Sequence, residues 1–278
     1  ALWHHAGHPT AAADARSLCQ YRMTRLLDCT SRESATESLA RLFGVEVPHL
    51  ANTLSSVAVD WDGDESEETQ ILAALGFRSS QDLPLPEATR WFHATRAPRH
   101  RTFADGLLPT GAALPELWKD LESVARQWTG PSEWAAYRES FAASGRFYAH
   151  QFHSKAIASG WQGPFAFLVR DAALGRHRGH KHFTRICEAL EDICADYQEE
   201  FGHPLRSAYE ASTEPCLVVF TAPGGDCGAV TAATVFLYRA IQAMSHGRSS
   251  NTCYSGKGKA VPPSWIERVE WISERSGT

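Results

Sequence analysis

His93 and Thr95 stand two residues apart in the short aromatic-rich segment 90–96. The Trp, Phe and Thr content of this segment is typical of a β-strand. Because side chains alternate along a strand, His93 and Thr95 are expected on one face and Phe92 on the other. A neutral imidazole beside a hydroxyl forms a hydrogen-bonding patch that suits a sugar. The alternative is that both side chains are satisfied by the backbone around them.

A second group of candidate ligands lies in the basic segment 176–182, which holds three histidines. Imidazoles at this spacing could ligate zinc or nickel. The Arg and Lys residues between them repel a cation, which favours a solvated basic loop that contacts a phosphate-bearing acceptor. The acidic run 60–68 lacks the glutamate that a calcium loop needs at its twelfth position, where Ile71 stands. No metal centre is therefore predicted.

The composition argues against several classes of protein. The chain has 278 residues, of which 43% are hydrophobic and 21% charged, enough apolar material for a packed core. Its formal net charge of −5 argues against a broadly basic surface that coats DNA. No apolar run reaches the length of a membrane span, about 20 residues, and the first residues lack a signal-peptide profile. Seven cysteines without a CxxC pair indicate reduced thiols, so we expect a cytoplasmic protein with no membrane partner.

The pattern of apolar residues predicts a helical N-terminal region, 1–82, and a second domain, 83–278, with the boundary in the Pro-punctuated segment 81–86. In the first region, helices are predicted over 12–28 and, behind a cap at Thr30 or Ser31, over 34–43. In the second, strands are predicted at 90–96, 164–170, 216–221 and 268–272. Helices are predicted near 115–128, opened by Pro115, near 132–141, capped by Ser132, and over 186–201, while 229–244 fits either type. Because strands and helices are interspersed without a regular βαβ repeat, the expected fold class is α+β.

Three motifs, taken in chain order, resemble one enzyme family. The first is the H-x-T strand followed by Phe103-Ala104-Asp105-Gly106-Leu107, and the second is Gly145-Arg146-Phe147-Tyr148-Ala149 with Ser154-Lys155 after it. The third is the closing segment 260–269 with its Pro262-Pro263 pair. Together they resemble the catalytic domain of the diphtheria-toxin-like ADP-ribosyltransferases, the His-Tyr-Glu branch that includes the poly(ADP-ribose) polymerases. The resemblance spans roughly residues 88–275.

The resemblance implies a fold, a substrate and a set of roles. It implies an ADP-ribosyltransferase-like split β-sheet core over 83–278, with NAD as the donor of ADP-ribose. His93 would hydrogen-bond the adenosine ribose, and Thr95 would support the backbone that grips the nicotinamide amide. Tyr148 would stack on the nicotinamide ring, where an aromatic face suits the cationic ring that leaves and the cationic sugar that develops.

The resemblance also implies contacts to the rest of the ligand and to partners. Arg96, Arg99 or Arg101 would hold the pyrophosphate through paired guanidinium hydrogen bonds, the alternative for each being a solvated loop. The implied protein is a bacterial toxin or effector, of the glycosyltransferase class, that modifies a protein or a nucleic acid. Its helical N-terminal region could recognise the target, a neutralising partner or a nucleic acid.

The chain departs from the family at the third landmark. That landmark is a glutamate on a strand shortly before the closing segment, where it binds the nicotinamide ribose and activates the acceptor. Residues 249–256 hold no carboxylate, and Asn251 is expected at the aligned position. An asparagine can hydrogen-bond a ribose hydroxyl but cannot act as a general base. Glu210 or Glu214 could take the role only if the strands are ordered differently.

Three functions therefore remain open. The first is an NAD-dependent ADP-ribosyltransferase, whose candidate catalytic residues are His93, Tyr148 and Asn251, with Thr95 and Arg96 as further NAD-binding residues. The second is a catalytically degenerate module of the same fold that binds a nucleotide or a nucleic acid. The third is a DNA-binding regulator that acts through residues 31–55, against which the acidic run that follows this segment argues.

Overall fold

The computed structural model describes residues 25–156, 163–175, 184–245 and 247–272, and in these ranges it contains ten α-helices and six β-strands. The helices are α1 (Arg32–Phe43), α2 (Val47–Ser56), α3 (Glu67–Ala74), α4 (Thr110–Ala125), α5 (Pro131–Ala143), α6 (Phe147–Ala156), α7 (Arg170–Ala173), α8 (Glu188–Phe201), α9 (Leu205–Ser212) and α10 (Cys227–Ile241). The strands are β1 (Leu26–Leu27), β2 (Ala88–Ala97), β3 (Phe165–Phe167), β4 (Glu214–Pro223), β5 (Cys253–Ser255) and β6 (Ile266–Trp271). The expected α+β class is confirmed.

The six described strands form one sheet around β2 and β4. Its order is β5-β3-β2-β4-β6, all antiparallel, with β1 alongside β2 in parallel. β2 and β4 pair along their whole length, from Ala88 opposite Pro223 to Ala97 opposite Glu214. β4 is apolar and buried along nearly all of its length, as expected for a central strand with both faces covered. β3 joins β2 only where Phe167 lies opposite Phe92, so β3 and β5 are attached to the rest of the sheet at a narrow junction.

The N-terminal helices pack on this sheet. Leu39 of α1, Leu50 of α2 and Ile71 of α3 are fully buried in the same hydrophobic core as Val219 of β4 and Leu237 of α10. α10 is the centre of this packing, because it contacts all three N-terminal helices. Among the described residues, the helical region that precedes residue 82 thus shares its core with the sheet.

A second hydrophobic core belongs to helices inserted between β2 and β4. Helices α4, α5, α6, α8 and α9 surround a group of large aromatic side chains, including Trp118, Trp134, Phe141 and Tyr197. Trp118 makes edge-on ring contacts with Trp134 and Phe141 at centroid distances of 5.7 and 5.9 Å. We call these five helices the helical cluster. The helical cluster lies beside the sheet, and a gap separates its hydrophobic core from the core of the sheet.

Several local expectations are confirmed. Ser31 caps α1, since its hydroxyl accepts from the Ser34 amide at 3.2 Å while the Ser34 hydroxyl accepts from the Ser31 amide at 2.9 Å. Gly44 ends that helix with φ at +70°.

The structure decides the segment 229–244, for which the sequence left helix and strand open. This segment lies mostly in helix α10, which Asp226 caps by accepting a hydrogen bond from the Ala229 amide at 2.7 Å.

Other local expectations are wrong. Leu26 and Leu27 lie in strand β1 rather than at a helix end, because they pair with Ala88 and Thr89; the part of that predicted helix before residue 25 lies outside the described residues. Pro115 lies inside α4, which begins at Thr110 after Pro109. Ser132 does not cap α5, because Gly130 takes the cap position and Pro131 opens the helix, where a missing amide hydrogen costs nothing.

None of the helices in the described ranges combines the length and the apolarity that crossing a bilayer requires.

Candidate functional site

A cavity of about 770 Å³ lies between the sheet and the helical cluster. We call it the sheet–helix cavity. Its volume lies within the range of small-molecule sites, about 300–1,000 Å³. Its walls come from β2, the loop between β2 and α4, and α4 itself, together with the ends of α6, β3 and α8. The lining includes His93, Thr95, Arg96, Arg101, Phe103, Asp105, Leu108, Glu116, Asp120, Lys155, Phe165, Cys187 and Glu188.

The alternation of β2 presents His93 and Thr95 to this cavity. Both residues are half-buried and line the cavity, whereas Phe92, on the other face of the strand, is fully buried in the core and does not line it. The prediction that the imidazole and the hydroxyl share one face of a strand is confirmed, because the period of two is a property of the extended backbone.

The His93 ring is held in a defined orientation. Its Nδ1 lies 2.6 Å from the carbonyl oxygen of Phe165. Because a carbonyl only accepts, Nδ1 carries the hydrogen and Nε2 is left as an acceptor in the neutral ring. Burial lowers the pKa of His93 below its usual 6.5, against the opposing effect of the Phe165 hydrogen bond, so the ring is neutral at neutral pH. The cavity wall therefore offers a hydrogen-bond acceptor next to the Thr95 hydroxyl.

Arg96 is part of the cavity wall, but the backbone uses much of its hydrogen-bonding capacity. Its side chain is buried, and Nη1 donates to the carbonyls of Glu210 and Thr213 at 2.7 and 2.5 Å. Nε donates to the carbonyl of Thr184 at 3.3 Å. This arginine therefore ties β2 to the end of α9 and to the segment before α8.

The other cations near the cavity are paired with carboxylates. Arg101 lies 2.7 Å from Asp120, whose pKa burial raises against the lowering effect of that arginine. Lys155 at the end of α6 lies 2.8 Å from Asp192. Arg99 does not line the cavity; its guanidinium lies 2.5 Å from Glu214 and is mostly exposed. Of the three arginines predicted to hold a pyrophosphate, Arg96 and Arg101 are thus at the cavity.

Two of the three sequence motifs meet at the rim of the cavity. Leu107, from the motif after β2, forms an antiparallel bridge with Val261, from the closing segment, through hydrogen bonds of 3.0 and 2.9 Å. Gly106 adopts φ of +86°, and a Cβ atom there would lie 2.1 Å from the Val261 carbonyl oxygen. Phe103 also has a positive φ, 55°, an uncommon conformation for a bulky residue that is found at sites held by their surroundings.

The structure does not bring Tyr148 to His93. Tyr148 lies in the first turn of α6, next to Phe147 with a centroid distance of 5.5 Å, and does not line the sheet–helix cavity. The nearby Glu199 raises the pKa of its hydroxyl. Ser154 and Lys155, the other residues of this motif, lie at the opposite end of α6 and do line the cavity.

Asn251 lies in a different cavity, of about 520 Å³, beside the start of α10. Its Oδ1 accepts a hydrogen bond from the Val169 amide at 3.0 Å and so pairs a backbone donor in the short segment between β3 and α7. Glu210 and Glu214 do not line the sheet–helix cavity either; they pair with Arg206 at 3.0 Å and with Arg99. Of the predicted site residues, the structure therefore unites His93, Thr95 and Arg96 and places Tyr148 and Asn251 elsewhere.

Sequence reasoning missed Glu188 and Phe165. Glu188 is the first residue of α8, is exposed, and lines the sheet–helix cavity. Its only signal was its place at a predicted helix start, where a carboxylate suits the helix dipole and indicates no site. Phe165 was assigned to a strand interior, yet its side chain forms part of the cavity wall and the residue is 44% exposed.

No cluster of three or more potential metal ligands occurs in the described ranges. The histidines of segment 176–182 lie outside those ranges, so their predicted basic loop is not described. Cys187 at the cavity wall is a free thiol whose pKa burial raises, which disfavours the thiolate that a nucleophile requires.

Fold and site together define an α+β protein with a large cavity between a sheet and a cluster of helices. Comparison of the chain with protein-family models, with curated proteins and with solved structures finds no match. The geometry of the cavity is therefore the basis for a functional proposal.

Proposed function

We propose that this protein binds NAD in the sheet–helix cavity and that its sheet and motifs belong to an ADP-ribosyltransferase-like fold. The observation that carries the proposal is the pair His93 and Thr95, side by side on the wall of a cavity large enough for a dinucleotide. Further support comes from the docking of Leu107 on Val261, which unites two of the three motifs on which the resemblance depends.

The cavity wall matches the sugar part of such a ligand best. The Nε2 atom of neutral His93 accepts a hydrogen bond from a ribose hydroxyl, and the Thr95 hydroxyl can donate to or accept from the next one. Arg101 and Lys155 also line the cavity and supply positive charge for a pyrophosphate, each shared with a carboxylate partner. A phosphate group would therefore compete with Asp120 and Asp192 for these cations.

Binding is proposed ahead of transfer because two of the residues expected to assist transfer lie elsewhere. Tyr148 and Asn251 do not line the cavity that holds His93. This arrangement favours the degenerate binding module over the transferase.

The six described cysteines are free thiols, which supports the proposal that the protein acts in the cytoplasm.

Transfer of ADP-ribose is a second candidate, and the position of Glu188 favours it. This exposed carboxylate lines the same cavity as His93 and makes no ion pair within the described residues. In such a reaction the bond between the nicotinamide nitrogen and the ribose carbon breaks, and the electron pair leaves with the nicotinamide. A protein or nucleic-acid acceptor attacks that carbon, and Glu188 would take its proton as a general base.

Calorimetric titration with NAD tests the binding proposal. Wild type should bind NAD, and His93→Ala should bind about tenfold more weakly because the hydrogen bond to the His93 Nε2 acceptor is lost. His150→Ala is the matched control, because His150 is exposed on α6 and does not line the cavity. Absence of NAD binding by wild type, or equal binding by His93→Ala, would overturn the proposal.

Incubation of labelled NAD with a cell lysate tests the transferase candidate separately. Label that appears on protein, RNA or DNA with wild type and is lost with Glu188→Gln supports it. Glu199→Gln, an exposed glutamate on the same helix that does not line the cavity, should label as wild type does. If wild type binds NAD but labels no macromolecule of the lysate, the transferase candidate is wrong and the binding proposal still stands.

A further inference from the structure

We propose that Phe165 is the residue on which the planar ring of the ligand stacks, an inference that rests on the proposed binding of a nucleotide in the sheet–helix cavity. Phe165 opens strand β3 and lines that cavity. It is 44% exposed, so part of its ring is open to the cavity.

The backbone of Phe165 ties its ring to the hydrogen-bonding patch. Its carbonyl oxygen accepts from His93 Nδ1 at 2.6 Å, so the aromatic ring and the imidazole are attached to one hydrogen-bonded unit. The strand pairing two residues further on, Phe167 opposite Phe92, holds β3 against β2. The distance between ring and imidazole is therefore set by the sheet and not by a flexible loop.

Gly163, which also lines the cavity, lies close to the ring. This glycine has φ of +62°, and a Cβ atom there would lie 3.1 Å from Cδ2 and 3.3 Å from Cε2 of Phe165. The Phe165 ring thus packs against the backbone of Gly163, and a side chain at that position would displace it. Such packing fixes the ring while part of its surface stays exposed to the cavity.

A second partly exposed apolar residue lines the same cavity. This residue is Leu108, which is 36% exposed and lies in the loop before α4. A flat ring that covers Phe165 and Leu108 removes apolar surface from water, while a sugar attached to it reaches His93 and Thr95. A sugar phosphate without a ring would leave Phe165 uncovered, and a ring without a sugar would leave the His93 acceptor unpaired. The wall therefore selects a heteroaromatic ring joined to a sugar, which is the chemistry of a nucleoside.

Titration of two substitutions at this position tests the assignment. Phe165→Leu keeps an apolar side chain and removes the ring, and should bind NAD about tenfold more weakly, as expected for loss of base stacking. Phe165→Tyr keeps the ring and should bind NAD as wild type does. Phe147→Leu is the matched control, because Phe147 is 69% exposed on α6 and does not line the cavity. Thermal unfolding of each variant checks that the fold is intact.

Smaller probes show which part of the ligand Phe165 contacts. ADP-ribose lacks the nicotinamide ring, and ribose 5-phosphate, used as a competitor, lacks both rings. Phe165→Leu should leave the affinity for ribose 5-phosphate unchanged; a loss for ADP-ribose equal to that for NAD assigns the adenine, and no loss for ADP-ribose assigns the nicotinamide. Equal NAD binding by wild type and Phe165→Leu, or equal loss for NAD and ribose 5-phosphate, would overturn the stacking role alone. Absence of NAD binding by wild type would instead overturn the proposed function.

Discussion

Gly106 lies directly against the backbone of Val261. A Cβ atom on Gly106 would be 2.1 Å from the Val261 carbonyl oxygen and 3.2 Å from the Pro263 nitrogen. Through this contact, the loop that forms the rim of the sheet–helix cavity is held against the segment that leads into β6. Glycine at position 106 is therefore a requirement of backbone packing.

Gly106→Ala should destabilise the protein more than Gly76→Ala does. Both glycines have φ of +86°, but nothing lies within 4 Å of a Cβ atom on Gly76. The strained φ costs each variant about 1–3 kcal/mol. The clash with Val261 adds about 1–3 kcal/mol at position 106. Urea unfolding measures both losses, and equal losses would contradict the close contact.

The burial of His93 predicts a loss of stability in acid. Its folded-state pKa lies below the usual 6.5, so its contribution to stability is complete above pH 6.5 and is lost as the pH falls through the lowered value. His93→Gln removes the titration and keeps a donor for the Phe165 carbonyl. Between about pH 8 and about pH 5, wild type should lose more free energy of unfolding than this variant. Parallel curves would show that burial does not perturb the imidazole.

Lys155→Met should destabilise the contact between α6 and α8. The Lys155 ammonium lies 2.8 Å from Asp192, whose side chain is only 10% exposed. Removal of the lysine leaves that carboxylate without its partner, at a cost of about 1–3 kcal/mol at neutral pH. Lys119→Met is the control, because it breaks an exposed pair with Glu116 and should change stability little.

The same substitution has a defined pH dependence. Burial already raises the pKa of Asp192, and loss of Lys155 raises it further. A carboxyl group with a raised folded-state pKa becomes less destabilising as the pH falls through that value. The stability deficit of Lys155→Met relative to wild type should therefore shrink in acid. A deficit that does not change with pH would mean that the lysine stabilises the fold through packing rather than charge.

Substitutions of Asn251 should affect the fold and not the binding of NAD. Asn251→Ala leaves the Val169 amide without its 3.0 Å acceptor, which should cost about 1–3 kcal/mol. Asn251→Asp retains an oxygen at that position and should cost less. Because Asn251 lines the second cavity, both folded variants should bind NAD as wild type does. Loss of NAD binding by a folded Asn251→Ala protein would contradict the separation of the two cavities.

Local signals predicted most of the long elements correctly. The apolar, β-branched run in β4, the cap and glycine that enclose α1, and the glycine that ends α8 each act on the backbone within a few residues. Local signals misplaced the starts of two helices, at Pro115 and Ser132, and at β1 the prediction was wrong because a distant segment decided the outcome. β1 is two residues long and exists because Leu26 and Leu27 pair with residues of β2.

The candidate site was predicted in part for the same reason. The shared face of His93 and Thr95 follows from alternation within one strand. The resemblance to ADP-ribosyltransferases, and the roles that it implies for Tyr148 and Asn251, stay predictions. The structure places those two residues away from His93, and their spacing in the sequence carries no information about that separation.

The amino-acid sequence alone thus determined the α+β class, the face on which the imidazole and the hydroxyl lie, and the turns that end several helices, because these properties arise from the geometry of neighbouring residues. Only the tertiary structure decided that Phe165, Glu188 and Lys155 line the same cavity as His93. These three residues come from a strand and two helices that meet through the packing of two separate hydrophobic cores. Such packing depends on how side chains from distant parts of the chain fit together, and a local sequence pattern does not predict that fit.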